Sequence, residues 1–431
     1  MVQEGNIKFK QTKIGKIPED WSFTNIGSVA ALSSGSTPLR SNPSYFCTIG
    51  GYAWVKTMNL TGSNVYETDE RITDLALNQT SCRLNPPETI MVAMYGGFNQ
   101  IGRTGILKVE AATNQAICCI DVDKNKLNPD YCNIWLIANR WRWKNIAASS
   151  RKDPNITKED VRAFPIVLPP LPEQKKIAAI LSSVDEAIAK TQAVIDQTHK
   201  VKQGLLQQLL TRGIGHTKFK DSAIGKIPEV WDVATAGQVC NLITKGTTPR
   251  NNQLSKEFGD IPYIRVQNLT FDGKLNFSAS PAFISSKIHL SELKRSRTFP
   301  GDVLINIVGP PLGKISVVPL DYAEWNINQA IAIFRPSSCY DTKFLAYWLQ
   351  TPQVLDWFFC RSKKTTSQQN LTLQLCSELP LPLPSLSEQI EIVKRLESAD
   401  FQIDAENKAL LALNSTKRGL MQDLLTGRVR V

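Results

Sequence analysis

Two stretches of this sequence carry residue types at spacings that chemistry uses, and both fall short of a site. Asn85-Pro86-Pro87-Glu88 has the asparagine and paired prolines with which amino-methyltransferases hold a target base, but a glutamate stands where the stacking ring would be. No glycine-rich strand-to-helix loop for a nucleotide-like cofactor accompanies it. Gly97 and Gly102, followed by Arg103 and Thr104, are spaced like a phosphate-binding loop with Arg for Lys. Such a loop opens a helix, whereas the run GILKV that follows predicts a strand. The three histidines (His199, His216, His289) stand far apart, and the nine cysteines include no CxxC pair. That pattern argues against histidine-centred catalysis, a zinc site and a disulfide framework, and for structural thiols in a reducing cytoplasm. The sequence therefore predicts no catalytic, cofactor-binding or metal site in this chain.

Composition narrows the remaining classes. The 431 residues are 42% hydrophobic and 21% charged, the balance of a water-soluble globular protein of two or three domains. No apolar run has signal-peptide character or membrane-spanning length, so a cytoplasmic protein is expected. A net charge of +11 favours an acidic partner, of which nucleic acid is the commonest.

The strongest pattern is a long internal repeat. FKQTKIGKIPEDW at 9–21 returns as FKDSAIGKIPEVW at 219–231, identical at nine of thirteen positions. GSTP (35–38) returns as GTTP (246–249), WVKTMNLT (54–61) as YIRVQNLT (263–270), and NQA recurs at 114–116 and 328–330. PIVLPPLPEQKKI (165–177) returns as PLPLPSLSEQIEI (380–392), and KQGLLQQLLT from Lys202 as KRGLMQDLLT from Lys417. A period this long means two copies of a domain with its connector, not a solenoid.

Each copy has two parts. The first, about 22–160 and 232–375, alternates short β-branched runs with Gly- and Asn-rich turns and ends in one aromatic-rich amphipathic helix; it reads as mixed α/β. The second is a long helix with an apolar seam at alternating steps of four and three. The seam runs Ile177, Leu181, Val184, Ile188, Thr191, Ile195, Thr198, Lys202, Leu205, Leu209 in the first copy. In the second it runs Ile392, Leu396, Ala399, Ile403, Glu406, Leu410, Leu413, Lys417, Leu420, Leu424. This is coiled-coil spacing, and the polar members could set register or orientation. Ser385 and Glu388 are spaced as a capping box at the second helix start. Domain boundaries are expected at 1–168, 169–213, 214–383 and 384–431. The helix-to-domain junction at 210–231 is regenerated if residue 431 is joined to residue 1, so the order domain, helix, domain, helix is close to cyclic. The expected fold is two α/β domains with twisted sheets separated by two long antiparallel coiled-coil helices, with pseudo-two-fold symmetry.

The repeated proline-glutamate-tryptophan segments, the GxTP turns, the PLPP-x-x-EQ helix starts and the domain–helix order together resemble the specificity subunit of type I restriction–modification systems. The resemblance spans nearly the whole chain. It implies two target-recognition domains, each reading half of a bipartite double-stranded DNA target, and helices that bind two methyltransferase subunits, with restriction subunits joining them. It places S-adenosylmethionine, ATP and Mg in those partners, leaving this chain non-catalytic. A DNA-binding architectural protein without methyltransferase partners is the alternative. Each domain segment carries only a small positive excess, so affinity should come from placed contacts. Candidate contacts in the first copy are Ser36, Thr37, Arg40, Lys56, Asn59 and the loop residues Tyr95, Asn99, Gln100 and Arg103. In the second copy they are Thr247, Thr248, Arg250, Arg265, Gln267, Asn268 and Lys314. Arg suits guanine, and Asn or Gln suits adenine, in the major groove.

Overall fold

A computed structural model of the chain describes residues 8–147, 154–250, 253–256, 259–362, 364–365 and 368–431. They form two compact units: Met1–Gln192 with Lys408–Val431, and Ala193–Asn407. The divisions between the units fall inside the two long helices.

The first unit opens with a hairpin, Phe9–Thr12 against Gly15–Pro18, whose register runs from Phe9 opposite Pro18 to Thr12 opposite Gly15. The chain then buries Trp21 completely. Strand Ser22–Asn25 pairs antiparallel with Pro165–Leu168, which joins the beginning of the α/β domain to its end. Between them lies a five-stranded sheet in the order Ala30–Ser34, Ile117–Val122, Ile90–Ala93, Thr104–Leu107, Asn64–Val65. A four-stranded sheet lies beside it in the order Ala111–Thr113, Tyr52–Val55, Arg71–Ile72, Phe46–Cys47. In the five-stranded sheet the near-continuous apolar strands Ile90–Ala93 and Ile117–Val122, from the TIMVAMY and AICCIDV runs, are almost wholly buried. GILKV forms the strand Thr104–Leu107, so the glycine-spaced stretch before it is a turn between strands. Asn85 is a buried bridge residue whose Nδ2 donates to the Ala111 carbonyl (3.2 Å), which gives the NPPE stretch a structural role.

The second unit repeats the plan. Hairpin Phe219–Ser222 with Gly225–Pro228 has the same register. Trp231 is fully buried, and Asp232–Thr235 pairs antiparallel with Pro380–Leu383. Its sheets run Cys240–Lys245, Ile331–Pro336, Val303–Asn306, Ile315–Val317 and Phe283–Ile284, Ile261–Ile264, Trp325–Ile327, Arg297–Thr298. The aromatic segment expected as one helix is broken in both units. In the first it is Pro129–Ala138, a 3-10 turn at Arg140–Arg142 and Trp143–Ile146. In the second it is Thr342–Leu349 and Pro352–Arg361, because Pro352 cannot continue a helix but can begin one.

The long helices span Leu171–Arg212 and Leu386–Leu425. Each begins with a Glu-Gln pair that ties three segments together. In the first unit, Trp21 Nε1 donates to Glu173 Oε2 at 3.0 Å. Arg430 donates to the same carboxylate through Nε (2.6 Å) and Nη2 (2.8 Å), and to Asp20 at 3.0 and 2.7 Å. Gln174 accepts the Asn128 N–H (2.9 Å) and donates to the Lys126 and Pro169 carbonyls, both at 2.9 Å. In the second unit Trp231 Nε1 donates to Glu388 Oε2 (2.9 Å), while the Ile214 N–H donates to Oε1 at 2.9 Å and His216 Nε2 lies 2.8 Å from it. Gln389 accepts the Asp341 N–H (2.7 Å) and donates to Pro384 O at 3.0 Å. Only half of the expected capping box forms: Ser385 Oγ accepts the Glu388 N–H (3.3 Å), but the Glu388 carboxylate turns to Trp231.

Within each unit, half of one long helix lies antiparallel to half of the other. Ile177 and Leu181 share a core with Leu424 and Leu425 in the first, and Leu209 and Leu210 share one with Ile392 and Leu396 in the second. The lysines at the polar seam positions have carboxylate partners. Lys417 pairs with Asp185 at 2.5 Å in the first unit, and Lys202 with Asp400 at 2.5 Å in the second. Lys202 is buried, and Tyr347 donates to the other Asp400 oxygen at 2.6 Å.

Removing the Arg430 guanidinium leaves Glu173, whose side chain is only 7% exposed, with the Trp21 N–H alone. Arg430→Ala should therefore cost about 2–3 kcal/mol, and a double-mutant cycle with Glu173→Gln should show coupling in urea unfolding. The Arg430 hydrogen bond holds the Asp20 carboxyl below its usual range. A folded-state value below the unfolded one adds stability above about pH 4 that is lost as pH falls through the folded value. The acid limb of the stability curve should accordingly be shallower in Arg430→Ala.

Candidate nucleic-acid interface

Three repeated motifs meet at one edge of each α/β domain. In the first, the Ser36 N–H donates to the Thr113 carbonyl at 2.8 Å, and the Thr37 hydroxyl donates to the Gln115 side chain. The Asn114 N–H donates to Val55 O at 3.0 Å, bringing NQA against the strand that leads into the turn Thr57–Asn59. In the second, Thr247 N–H donates to Ile327 O at 3.2 Å and Asn328 N–H to Ile264 O at 3.0 Å. Glycine is required in both GxTP turns for lack of space. A Cβ on Gly35 would lie 2.2 Å from Thr113 O, and one on Gly246 2.0 Å from Asn328 O.

The glycine-spaced loop joins the same edge. In the first domain, Thr57 Oγ1 donates to Gln100 Oε1 at 3.0 Å, and the Met94 N–H donates to Ala116 O at 2.7 Å. Tyr95, Phe98 and Asn99 stand exposed on the loop, and Arg103 Nε turns back to Asn99 O at 3.0 Å. In the second domain the Ile307 N–H donates to Ala330 O at 2.8 Å, and Lys314 follows the shorter loop. Thus four stretches that are far apart in sequence present hydroxyls, amides and cations together.

The side chains divide into two groups. Arg40 and Lys56 both bind Glu70, Arg40 at 2.6 Å, and the Lys56 hydrogen bond, then Arg40, holds the Glu70 carboxyl below its usual range. Arg40 also lies 4.8 Å over the rings of Phe46 and Trp54. Asn59 Oδ1 accepts the Lys56 N–H at 2.8 Å, and Asn268 Oδ1 accepts the Arg265 N–H at 2.9 Å. Asn268 is fully buried, its Nδ2 donating to Ser280 O at 2.9 Å and Asn276 O at 3.2 Å, so this amide shapes the turn. Arg265 Nη2 donates to Ser280 Oγ at 2.8 Å, and the Gln267 side chain bonds the same hydroxyl. Ser36 Oγ lies 2.8 Å from Ser81 Oγ. Thr248 and Arg250 are exposed, with the Arg250 N–H on Gln253 Oε1 at 2.8 Å.

Sequence reading missed several members. Gln115 lies in the NQA repeat and could have been found there. Glu70 gives no signal, since its cations lie 14 and 30 residues away. Arg140, beyond the break in the aromatic helix, donates to Asn99 O (2.8 Å) and Ile101 O (3.1 Å), and burial with nearby Arg103 pushes its pKa down. In the second domain the corresponding loop is held by strand pairing: Val308–Gly309 with Gln368–Asn370, which pairs in turn with Lys364–Thr365.

Comparison with known proteins shows the family to which the two repeated units belong. The family model for the type I restriction modification DNA specificity domain matches residues 18–197 and 228–415, one match per copy of the repeat. The chain belongs to that family. A putative type I restriction enzyme MjaX specificity subunit of Methanocaldococcus jannaschii is 27% identical over 448 residues, covering 98% of this chain and 97% of that protein. The EcoBI specificity subunit of Escherichia coli is 28% identical over 365 residues, 80% of this chain and 74% of that one. The crystal structure of an S subunit from M. genitalium shares the fold with a TM-score of 0.60 at 17% identity, over 98% of both chains. No described helix is long and apolar enough to cross a membrane.

Because Glu70 neutralises two of the candidate cations, Glu70→Gln should tighten binding to unrelated duplex DNA. It should also steepen the salt dependence by up to about one unit of slope per cation freed. Arg40→Ala should do the reverse, and fluorescence anisotropy across a salt series reads both.

Proposed function

We propose that each unit reads one half of a bipartite double-stranded DNA target at the edge where GxTP, the N-L-T turn, NQA and the glycine loop meet. The observation that carries this reading is that one framework, repeated in both units, holds unequal loops and different side chains. A shared scaffold with Arg40, Lys56 and a long Tyr95–Arg103 loop in one copy, and Arg250, Gln267 and Lys314 in the other, suits two different half-sites. Cations beside exposed amides are the groups that position on phosphates and discriminate bases. The helices and the segments packed on them hold two methyltransferase subunits, to which restriction subunits join. S-adenosylmethionine, ATP and Mg belong to those partners, and this chain supplies recognition without catalysis.

The test is a hybrid chain carrying residues 232–375 in place of 22–160, expressed with its methyltransferase partners. Both opening hairpins and both Glu-Gln helix starts are retained. Sequencing of methylated sites should reveal a symmetric target built from the second half-site alone. An active hybrid that still modified an asymmetric target would sink the one-unit-per-half-site reading, and absence of partner association would favour the architectural alternative.

A further inference from the structure

Each unit contains an apolar groove that shares no residue with the four-motif edge. In the first unit it has a volume of about 400 Å³. Its floor includes Ile14 of the opening hairpin, Trp135, Met421 and Leu425. In the second unit the groove is about 320 Å³, with Ile224 and Trp348 in the places of Ile14 and Trp135. The correspondence is fixed by bonding, since Trp135 Nε1 donates to Pro165 O (2.9 Å) and Trp348 Nε1 to Pro380 O (3.2 Å).

Both grooves are edged by a second tryptophan with an arginine over its ring. Arg142 lies 4.5 Å from the Trp141 centroid, and Arg361 4.8 Å from that of Trp357. The two pairs reach this position by different backbones. Trp141 and Arg142 sit in the 3-10 turn, six residues beyond Trp135, while Trp357 and Arg361 sit on helix Pro352–Arg361, nine residues beyond Trp348. Two different local folds thus supply the same Ile–Trp–Trp/Arg set, although the aromatic segments otherwise differ. Trp141 is 56% exposed, more than its own core requires.

We propose that each groove is the docking site for an amphipathic segment with at least two apolar side chains and a carboxylate, contributed once by each of two identical partner subunits. Tryptophan and arginine are the residue types enriched among those that dominate protein–protein affinity, and a segment laid in the groove would cover both. In the first groove the charge on the rim selects the carboxylate, and in the second Arg361 offers the one cation of the described lining. Lys16, Arg142 and Arg418 line the first groove with no acidic residue among the described residues of its lining, and the second has Arg361 beside Asp356. An Ile–Trp–Trp/Arg set built twice fits one partner bound twice, which separates it from the two unequal DNA-reading edges; the long helix adds Arg418, Met421 and Leu425 to the first groove alone among the described linings. The inference rests on the proposed function, under which that partner is the methyltransferase subunit.

The full chain co-expressed with its methyltransferase subunit provides the test, read by native mass spectrometry and by titration. The parent should carry two partners. Trp141→Ala with Arg142→Glu should leave one, Trp357→Ala with Arg361→Glu should leave one, and all four changes together should leave none, with each altered groove binding at least about 30-fold more weakly. Arg142→Glu alone keeps the apolar floor and should weaken only the first site. Unchanged circular dichroism and retained binding to duplex DNA show that the variants fold. Two partners retained at parental affinity by the four-change variant would overturn the groove assignment. A parent chain that binds no methyltransferase subunit would instead overturn the functional reading beneath it.

Discussion

A carboxylate at the start of a helix, buried in the first unit and half-buried in the second, has to be satisfied, and in this protein that requirement organises each unit. Glu173 and Glu388 sit in the first turn of the long helices, where the positive end of the helix favours a negative charge. Their oxygens take a tryptophan N–H from the segment after the opening hairpin and a donor from the junction that follows the other long helix. The neighbouring glutamine reaches the chain at the start of the aromatic helix. Hairpin, domain and both helices therefore share two adjacent side chains. An unpaired buried carboxylate costs several kcal/mol, so none of these segments is free to detach singly.

The two copies satisfy the same groups in different ways. Glu173 has an arginine, Arg430, and Glu388 has a backbone N–H and His216. Tyr131 from within its helix donates to Val167 O at 3.0 Å, whereas Tyr340, from ahead of its helix, donates to the equivalent Pro382 carbonyl at 3.0 Å. Each phenol is fully buried and its pKa pushed up by burial, so each remains a neutral donor. What the copies keep is the satisfied carbonyl, as expected where a buried polar group left bare is the expensive outcome.

Much of this was legible in the sequence because it depends on periodicity and repetition. The seam positions Ile177, Leu181, Ile392 and Leu396 are fully buried, and the repeated GxTP and NQA stretches do lie together. The polar residues were harder to read. Asn59 and Asn268 have the chemistry of base contacts, but each accepts the N–H three residues before it to form a turn, and sequence does not distinguish an amide turned outward from one turned inward. Arg40 and Lys56 look like free cations until Glu70 is found between them, brought there by the pairing of Tyr52–Val55 with Arg71–Ile72. The division of the chain within its helices was also hidden, because a continuous heptad seam carries no mark where one core ends and the next begins.

Arg430 has a consequence for how the protein is made. Residues 193–407 of the second unit are contiguous, so every contact within it can form once residue 407 has left the ribosome. The first unit must wait for Leu424, Leu425 and Arg430, although its α/β domain is synthesised first. The domain made earliest is thus completed last, with Glu173 awaiting a guanidinium 257 residues downstream. Through most of synthesis the emerging first unit therefore lacks its last segment, and its unfilled carboxylate and apolar face are the features a chaperone or a premature partner would meet.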